Sequence, residues 1–305
     1  MNRRTFLKDA ALLIASLGLS PLLKPQVASA LEELSSGRAP LLWLQGLACS
    51  GCSVSLFDAE EPDASDLVMR YLSLYFHPTL SAATGESATA TIEKTIAQGD
   101  YILVVEGAIP MGMPDACRIG DEPFILLLQR AAQKAKTVLA VGTCAAYGGV
   151  PAAPPNLTGA VTAAEALETA GIKTPLINLP GCPPPPGWLL GTLIHLMKGA
   201  TPPLDEKRQP KRHYGELLHQ KCPYFADYQE KRFALNFGEG GCQFKLGCQG
   251  VVTYSDCSRR KWNGGTSWCI QARGVCIGCT HEKFASNPDF PLYRFFEDKP
   301  KEVKG

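Results

Sequence analysis

The chain has 305 residues, with 30 Lys and Arg against 29 Asp and Glu, and 12 cysteines. A hydrophobic content of 45% and a charged content of 19% exclude general disorder, and the net charge of +1 gives no reason to expect a nucleic-acid-binding protein. The cysteines are too many for a chance set of buried thiols, and the chain is too long for a small disulfide-stapled scaffold. They are therefore expected to hold disulfides, zinc or iron–sulfur clusters.

Residues 1–30 have the pattern of a signal peptide. Arg3 and Arg4 begin a basic stretch, an apolar run follows from Ala10 to Leu23, and Ala28-Ser29-Ala30 is a small-residue cleavage site. The paired arginines, followed by Phe-Leu-Lys, resemble a twin-arginine export signal. This predicts a periplasmic protein that the twin-arginine export machinery carries across after folding, and it favours metal clusters over disulfides. The alternative is an amphipathic first helix with two incidental arginines.

Strands and helices are predicted to alternate through the first two thirds of the chain. The predicted strands are Pro40–Gln45, Val68–Phe76, Tyr101–Val105, Thr137–Val141 and Pro175–Leu179. The predicted helices are 86–98, Glu122–Ala135, Ala163–Ala170 and Leu189–Lys198. This alternation predicts a parallel α/β sheet with helices on both faces. No apolar run after the signal peptide approaches the roughly 18 residues of a membrane-spanning helix, so the mature chain is expected to be soluble or attached to a membrane only through partners.

The composition of the chain changes near residue 202. Pro202-Pro203 and a basic stretch at 207–212 have the character of a linker, and beyond them long apolar runs give way to Cys, Gly and aromatic residues. Such a region cannot build a large core from side chains alone, so bound clusters are expected to organise it. The predicted divisions are a signal peptide at 1–30, an α/β domain at 31–201, and a C-terminal domain with little regular secondary structure at 202–305.

In the first domain, cysteines follow three of the predicted strands. Cys49 and Cys52 come after the first strand, Cys144 after the strand at 137–141, and Cys182 after the strand at 175–179. The carboxyl ends of strands in an α/β sheet form the edge that holds ligand sites, so these thiols are expected to converge. Four thiolates are the ligand set of a cubane cluster, although a structural zinc or unrelated buried thiols remain alternatives. The glycines expected to allow close backbone approach are Gly46, Gly51, Gly142 and Gly181.

The second domain holds seven cysteines, which together with His219 could form two more four-ligand sites. In chain order the first set is His219, Cys222, Cys242 and Cys248, and the second set is Cys257, Cys269, Cys276 and Cys279. Spacing alone does not prove this division. Zinc ribbons are the main alternative, because three cysteines and a histidine are a structural zinc set. Disulfides are less attractive because the number of cysteines is odd.

Short motifs surround most of these cysteines. In the first domain they are Trp43-Leu44-Gln45, Cys49-Ser50-Gly51-Cys52-Ser53-Val54-Ser55, Val105-Glu106-Gly107-Ala108-Ile109-Pro110, Val141-Gly142-Thr143-Cys144-Ala145-Ala146-Tyr147-Gly148-Gly149 and Gly181-Cys182-Pro183-Pro184. In the second they are His219-x2-Cys222-Pro223, Leu246-Gly247-Cys248-Gln249-Gly250 and Cys276-Ile277-Gly278-Cys279. Together these motifs resemble the small subunit of nickel–iron hydrogenases over nearly the whole mature chain. The resemblance implies a flavodoxin-like first domain.

The resemblance also implies three iron–sulfur clusters in a line. The proximal 4Fe-4S cluster would take Cys49, Cys52, Cys144 and Cys182, the medial cluster Cys257, Cys276 and Cys279, and the distal 4Fe-4S cluster His219, Cys222, Cys242 and Cys248. Many members of the family have proline where Cys269 stands, together with a 3Fe-4S medial cluster. A fourth thiolate at Cys269 favours a 4Fe-4S medial cluster of lower potential, and it resembles the nickel–iron–selenium branch.

The resemblance predicts a subunit that carries electrons and has no catalytic residue of its own. Electrons from H2 would come from a nickel-containing large subunit and would leave to an external acceptor such as a c-type cytochrome. The alternatives are a stand-alone multi-cluster electron carrier without hydrogenase activity, a respiratory-complex subunit that shares only the first domain, and a zinc-stabilised interaction protein. The cysteine-rich second half argues against the respiratory subunit.

A few residues lie outside these ligand sets. Glu106 follows an apolar strand and could relay protons, cap a turn or pair with a base. Cys117 is predicted to be a buried small hydrophobe. His77 and His195 are predicted to be packed rather than ligating. The basic runs at 207–212 and 259–261 are predicted to be solvated faces.

Overall fold

The computed structural model describes residues 40–59, 63, 73–197 and 199–286. The predicted signal peptide at 1–30 lies outside these residues, as do residues 68–72 of the predicted second strand. Within the described part of the chain, no helix combines the length and the apolar character needed to cross a membrane.

A five-stranded parallel sheet lies at the centre of the first domain. Its strands are β1 (Pro40–Gln45), β2 (Ser73–Phe76), β3 (Tyr101–Glu106), β4 (Ala135–Val141) and β5 (Leu176–Leu179). They lie side by side in the order β2-β1-β3-β4-β5. This is the flavodoxin-like order of doubly wound sheets, so the predicted fold class is confirmed.

The strand register aligns the carboxyl ends of β1, β3, β4 and β5. Gln45 lies beside Glu106, Glu106 beside Val141, and Val141 beside Leu179. The segments after β1, β4 and β5, which carry the cysteines, therefore leave the sheet at one edge, where doubly wound folds bind their ligands.

Helices cover both faces of the sheet. They are α1 (Gly51–Phe57), α2 (Gly85–Gln98), α3 (Phe124–Lys134), α4 (Gly142–Tyr147), α5 (Ala163–Thr169) and α6 (Pro186–Met197). Leu56 of α1 and Trp188 of α6 pack on one face together with alternate strand residues such as Val104. Side chains of α2, α3 and α5 pack on the other face, where Leu103 points. Burial on both faces explains why β3 is an unbroken apolar run.

The predicted helices differ from the observed ones at their ends. The helix predicted from Glu122 begins at Phe124, because Glu122–Pro123 pairs with Arg118–Ile119 as a short antiparallel ladder. The helix predicted from Leu189 begins at Pro186, since proline is well suited to the first turn of a helix. A second short ladder joins Ile109–Pro110 to Ala160–Val161.

The C-terminal region has little regular secondary structure, as predicted. Its elements are α7 (Lys211–Tyr214), α8 (Phe225–Gln229), α9 (Cys257–Arg260) and three 3-10 helices at Leu218–Lys221, Gln243–Leu246 and Gln249–Val251. Among the described residues from 199 to 286, β pairing is limited to isolated bridges. The largest apolar cluster made wholly in this region centres on Leu218, Trp268 and Ile270. This core is small beside the two that flank the sheet.

Candidate metal centres

The first group of thiols lies at the carboxyl edge of the sheet. Burial raises the pKa of the Cys52 thiol well above its usual range, and repulsion from Glu106, Cys144, Cys49 and Cys182 raises it further. Burial likewise raises the pKa of Cys144 to about 11, partly offset by a hydrogen bond from a backbone N–H. Charges shift a pKa in this way only at short range, so these thiols lie close to one another. The structure thus brings together the four cysteines that follow the strands.

Two glycines make room for these thiols. A Cβ on Gly142 would lie 2.4 Å from the Sγ atom of Cys52, and a Cβ on Gly149 would lie 2.9 Å from the Sγ atom of Cys144. Both glycines have positive φ angles, 87° and 51°, which residues with side chains adopt at a cost. Gly149 was missed in the sequence because no strand end or CxxC motif marks it.

The four glycines singled out in the sequence divide into two kinds. Gly142 and Gly51 border thiols, and a Cβ on Gly51 would lie 3.1 Å from the Sγ atom of Cys49. Gly46 instead approaches the carbonyl of Ala108, and Gly181 approaches the backbone of Pro184. The second pair therefore packs the loops against one another and does not line the thiol group.

Glu106 is a buried hydrogen-bond acceptor at the end of β3, with 1% of its surface exposed. Its carboxylate accepts from the side chains of Trp43 at 3.0 Å, Gln45 at 2.9 Å and Ser53 at 2.5 Å. It also accepts from the backbone N–H groups of Cys52 at 3.1 Å and Ser53 at 3.4 Å. Glu106 therefore holds the first turn of α1, as in the capping role considered from the sequence, while a proton-relay role stays a prediction.

His77 lies next to this network and is packed, as predicted. Its Nε2 atom is 3.1 Å from the hydroxyl of Ser53, and its ring stacks at a tilt on Trp43 with a centroid distance of 4.8 Å. Burial lowers the pKa of His77 to about 4, although the nearby Glu106 acts to raise it. His77 is consequently neutral at pH 7.

Three thiols form a second group in the C-terminal region, where the backbone N–H of Cys222 donates to the carbonyl oxygen of His219 at 3.2 Å. Burial raises the pKa of Cys222 to about 11, and repulsion from Cys248 and Cys242 raises it as well. The ring of His219 lies between Phe225 and Tyr228, at centroid distances of 5.1 and 4.4 Å. The Nε2 atom of His219 is buried and has no hydrogen-bond partner. Because a buried ring nitrogen rarely stays unpaired, this atom has the character of a metal ligand.

The third group is the most deeply buried. Burial raises the pKa of Cys276, and repulsion from Cys248, Cys279 and Cys257 raises it further. Burial raises the pKa of Cys279 to about 12, with Cys269 among the groups that add to the effect. The structure thus brings Cys257, Cys269, Cys276 and Cys279 together, and Cys248 of the second group adjoins them.

The donor sets fit iron–sulfur clusters. Each group offers four soft or imidazole ligands, and the buried Nε2 atom of His219 lacks any other partner. Within the described residues, no three His, Cys, Asp or Glu side chains lie close enough to share one metal ion. In a cubane each thiolate binds its own iron, so the ligands need not meet at one point.

Cys117 lies apart from these groups. It is half-buried against the core beside the sheet, and its Sγ atom is 4.0 Å from the carbonyl oxygen of Gln45. Burial raises the pKa of this thiol. Cys117 therefore behaves as the small hydrophobe predicted from the sequence.

A buried ion pair next to Cys257 was missed in the sequence. The carboxylate of Asp256 accepts hydrogen bonds from Trp188 of α6 at 2.9 Å and from Arg260 at 2.7 Å. Burial acts to raise the pKa of Asp256, but hydrogen bonds from His213 and Arg260 hold it at about 2. The prediction of a solvated basic face at 259–261 is wrong for Arg260, whose side chain is 10% exposed. Asp256 and Arg260 lie four residues apart, but Trp188 and His213, which bury and complete the pair, are distant in the chain, so no local pattern marks its burial.

Each half of the chain matches the model of a known protein family. Residues 49–196 match the family model of the 20 kDa subunit of NADH ubiquinone oxidoreductase, and residues 214–291 match that of the C-terminal part of NiFe/NiFeSe hydrogenase small subunits. The second match is the part that a respiratory subunit sharing only the first domain would lack.

Two relatives match nearly the full length. The chain is 37% identical over 311 residues to the periplasmic [NiFeSe] hydrogenase small subunit of Desulfomicrobium baculatum, covering 95% of this chain and 96% of the relative. It is 38% identical over 299 residues to the uptake hydrogenase small subunit of Azotobacter vinelandii, covering 95% and 82%.

Comparison with solved structures also finds hydrogenases. A crystal structure of the reduced, active Ni-Fe-Se hydrogenase from Desulfomicrobium baculatum matches with a TM-score of 0.80 and 38% identity, over 84% of this chain and 98% of that one. The doubly wound domain joined to a cysteine-rich domain thus defines an iron–sulfur subunit of a redox enzyme. More particularly, the chain belongs to the family of nickel–iron and nickel–iron–selenium hydrogenase small subunits. It acts as part of a heterodimer with a large subunit.

Proposed function

We propose that this chain carries electrons away from a nickel-containing large subunit of a periplasmic uptake hydrogenase. H2 is oxidised in the large subunit, and the electrons pass through this chain to an external acceptor, a c-type cytochrome. The observation that carries the proposal is the succession of three adjoining ligand groups, from the sheet edge to the aromatic-lined His219. A route for electrons needs such a series of closely spaced centres.

The three groups are assigned as ligands of three 4Fe-4S clusters. Cys49, Cys52, Cys144 and Cys182 hold the proximal cluster, Cys257, Cys269, Cys276 and Cys279 the medial cluster, and His219, Cys222, Cys242 and Cys248 the distal cluster. When bound, each cluster accepts and releases one electron at a time. The involvement of Cys269 favours four irons over three at the medial site, and it supports a place in the nickel–iron–selenium branch.

The contacts between groups support this order. Cys182 of the first group and Cys269 of the third are among the neighbours that raise the pKa of Cys279. Cys248 of the second group is, after burial, the largest influence on the pKa of Cys276. The third group therefore lies between the other two, although its residues come last in the chain.

The backbone prepares the thiols to bind iron. A thiol must lose its proton to become a ligand, and burial opposes that loss by raising its pKa. Backbone N–H groups act in the other direction: those of Tyr224, Phe244 and Gly250 lower the pKa of Cys222, Cys242 and Cys248, respectively. Each donor lies two residues after its cysteine, so the loops present an N–H to each thiolate.

The cellular setting belongs to the same proposal. The basic, apolar and small-residue segments of residues 1–30 support export by the twin-arginine machinery after folding. The relatives named above include a periplasmic subunit. Both observations support a periplasmic location.

The test is purification of the complex from its native host, followed by metal analysis and an assay of H2-dependent dye reduction. We expect about twelve irons per small subunit, from three cubanes, together with a nickel-containing partner. A matched pair of variants keeps the assignment falsifiable: Cys222→Ser should lower the iron content, whereas Cys117→Ser should leave it unchanged. Purification without a nickel subunit, or zinc in place of iron, would contradict the proposal.

A further inference from the structure

Thr143 lies where the first and third ligand groups meet. It is buried in α4 with 1% of its surface exposed, directly before Cys144. Its N–H donates to the carbonyl of Gly181 at 2.9 Å, and its hydroxyl oxygen accepts from the N–H of Gly181 at 2.9 Å. The same hydroxyl donates its proton to the carbonyl oxygen of Cys279. One side chain therefore connects the loops that carry Cys144, Cys182 and Cys279.

A second contact joins the same loops. The backbone N–H of Cys182 donates a hydrogen bond to the thiol of Cys279, which lowers the pKa of that thiol. On its other side the Cys279 loop is held by Thr280, whose hydroxyl donates to the carbonyl of Tyr254 at 2.9 Å. The position of Cys279 relative to Cys182 is thus fixed by the hydroxyl of Thr143 and by a direct backbone contact.

The chemistry of the hydroxyl suits this role. The hydroxyl is both a donor and an acceptor, so it hydrogen-bonds two backbone groups at once, the N–H of Gly181 and the carbonyl of Cys279. Without it, these two groups would lose this partner. Loss of such outer contacts moves the ligands that they orient. Electron transfer weakens steeply as the gap between two centres grows, so a small displacement of Cys279 from Cys182 has a large effect.

We propose that Thr143 is a positioning residue that holds the Cys279 loop against Cys182 and thereby sets the electronic coupling between the proximal and medial sites. The proposal rests on the proposed function, in which these cysteines bind successive clusters. Thr143 contacts Gly181 and Cys279 of this chain, so its expected effect is on electron passage between two sites of this chain.

The experiment compares variants of the heterodimer purified with its clusters. Thr143→Val keeps the shape of the side chain and loses the hydroxyl, whereas Thr143→Ser keeps the hydroxyl. Thr192→Val is the matched control, because Thr192 is also buried but its hydroxyl donates only to the carbonyl of Trp188 within α6. Two rates are measured for each: H2-driven dye reduction, which needs the electron route, and D2–water isotope exchange, which needs only the nickel site.

The ratio of dye reduction to isotope exchange is the decisive quantity. We expect it to fall several-fold in Thr143→Val and to keep its wild-type value in Thr143→Ser and Thr192→Val. Electron paramagnetic resonance of the reduced complex should show a weakened magnetic interaction between the two clusters in Thr143→Val alone. An unchanged ratio in Thr143→Val, or equal losses of both rates, would overturn the inference.

Assembly failure of one variant does not remove the test. If Thr143→Val does not assemble, a lowered ratio in Thr143→Ser overturns the inference, and a wild-type ratio there supports it. Failure of the proposed function looks different, because the wild-type complex itself would then lack iron or H2-driven dye reduction.

Discussion

The two halves of the molecule place their cysteines in different surroundings. In the first domain a parallel sheet and six helices bury large apolar clusters, and four of the five cysteines lie in loops or first helical turns at one edge of the sheet. In the C-terminal region the apolar cluster is small, and it includes Cys276, one of the proposed ligands. The first domain can therefore fold around its side chains and present a site, whereas the second needs its clusters as part of the core.

Removal of iron should reveal the largest difference in stability between the two halves. After chelation and reduction of the complex, we expect amide protons between residues 213 and 285 to lose nearly all protection from exchange, because the clusters complete that core. Amides of β3 (Tyr101–Glu106) should stay protected, since the sheet is buried by its own helices. Hydrogen exchange measured by mass spectrometry checks this. Equal loss of protection in both halves would contradict the comparison.

A single methyl group should break the site on the sheet edge. In Gly142→Ala the new Cβ would lie 2.4 Å from the Sγ atom of Cys52, at a φ of 87°. We expect loss of the proximal cluster, seen as a fall of about four irons per chain.

Gly171→Ala is the matched control for that substitution. Gly171 also has a positive φ of 69°, but a Cβ there meets nothing within 4 Å. It should cost only the backbone strain of about 1–2 kcal/mol and keep all of the iron. If both variants lose iron alike, the close approach to Cys52 is not the cause.

The contact between the halves can be weakened without touching a ligand. Trp188→Phe removes the indole N–H that donates to Asp256 at 2.9 Å, and it leaves the buried carboxylate short of one donor. We expect a loss of about 1–3 kcal/mol in the free energy of unfolding, measured by urea denaturation of the holo complex. Leu190→Ile, in the same helix and the same apolar cluster, should cost less because it removes no hydrogen bond. If both variants lose the same free energy of unfolding, packing and not the hydrogen bond to Asp256 stabilises this contact.

The last prediction concerns the stability of the first domain in acid. Burial holds the pKa of His77 at about 4, below the value of about 6.5 expected in the unfolded chain. The unfolded state therefore binds a proton first, so the stability of the first domain should fall as the pH drops from about 6.5 towards 4. His77→Gln should flatten that part of the stability curve. Thermal unfolding across this pH range checks it, and an unchanged slope would show that other groups cause the loss.

The sequence predicted the sheet well because its signals are local. The unbroken apolar run of β3 and the turn residues around it mark a buried strand without reference to the rest of the chain. Helices α1 and α4 were missed because six or seven residues are too few to show a helical period. Both begin at a glycine that borders a thiol of the first group, where the geometry of the site overrides propensity.

The sites were predicted less completely than the fold. The convergence of Cys49, Cys144 and Cys182 follows from strand ends, since parallel strands end at one edge. The contacts that hold the sites do not follow in this way. Trp188 with Asp256, and Thr143 with Cys279, join positions far apart in the chain. Only the folded backbone brings such residues together, and a single sequence carries no sign of the pairing.

The order of the ligand groups in space differs from their order along the chain. Synthesis delivers the thiols of the sheet edge first, the His219 group second, and the group between them last. A chain that stops at Ser255 would have complete ligand sets for both end sites and none for the middle one. Early termination would thus remove the centre of the series first. In the proposed assignment, the segment 257–279 is synthesised after both end sets of ligands and decides whether the two ends are electrically connected.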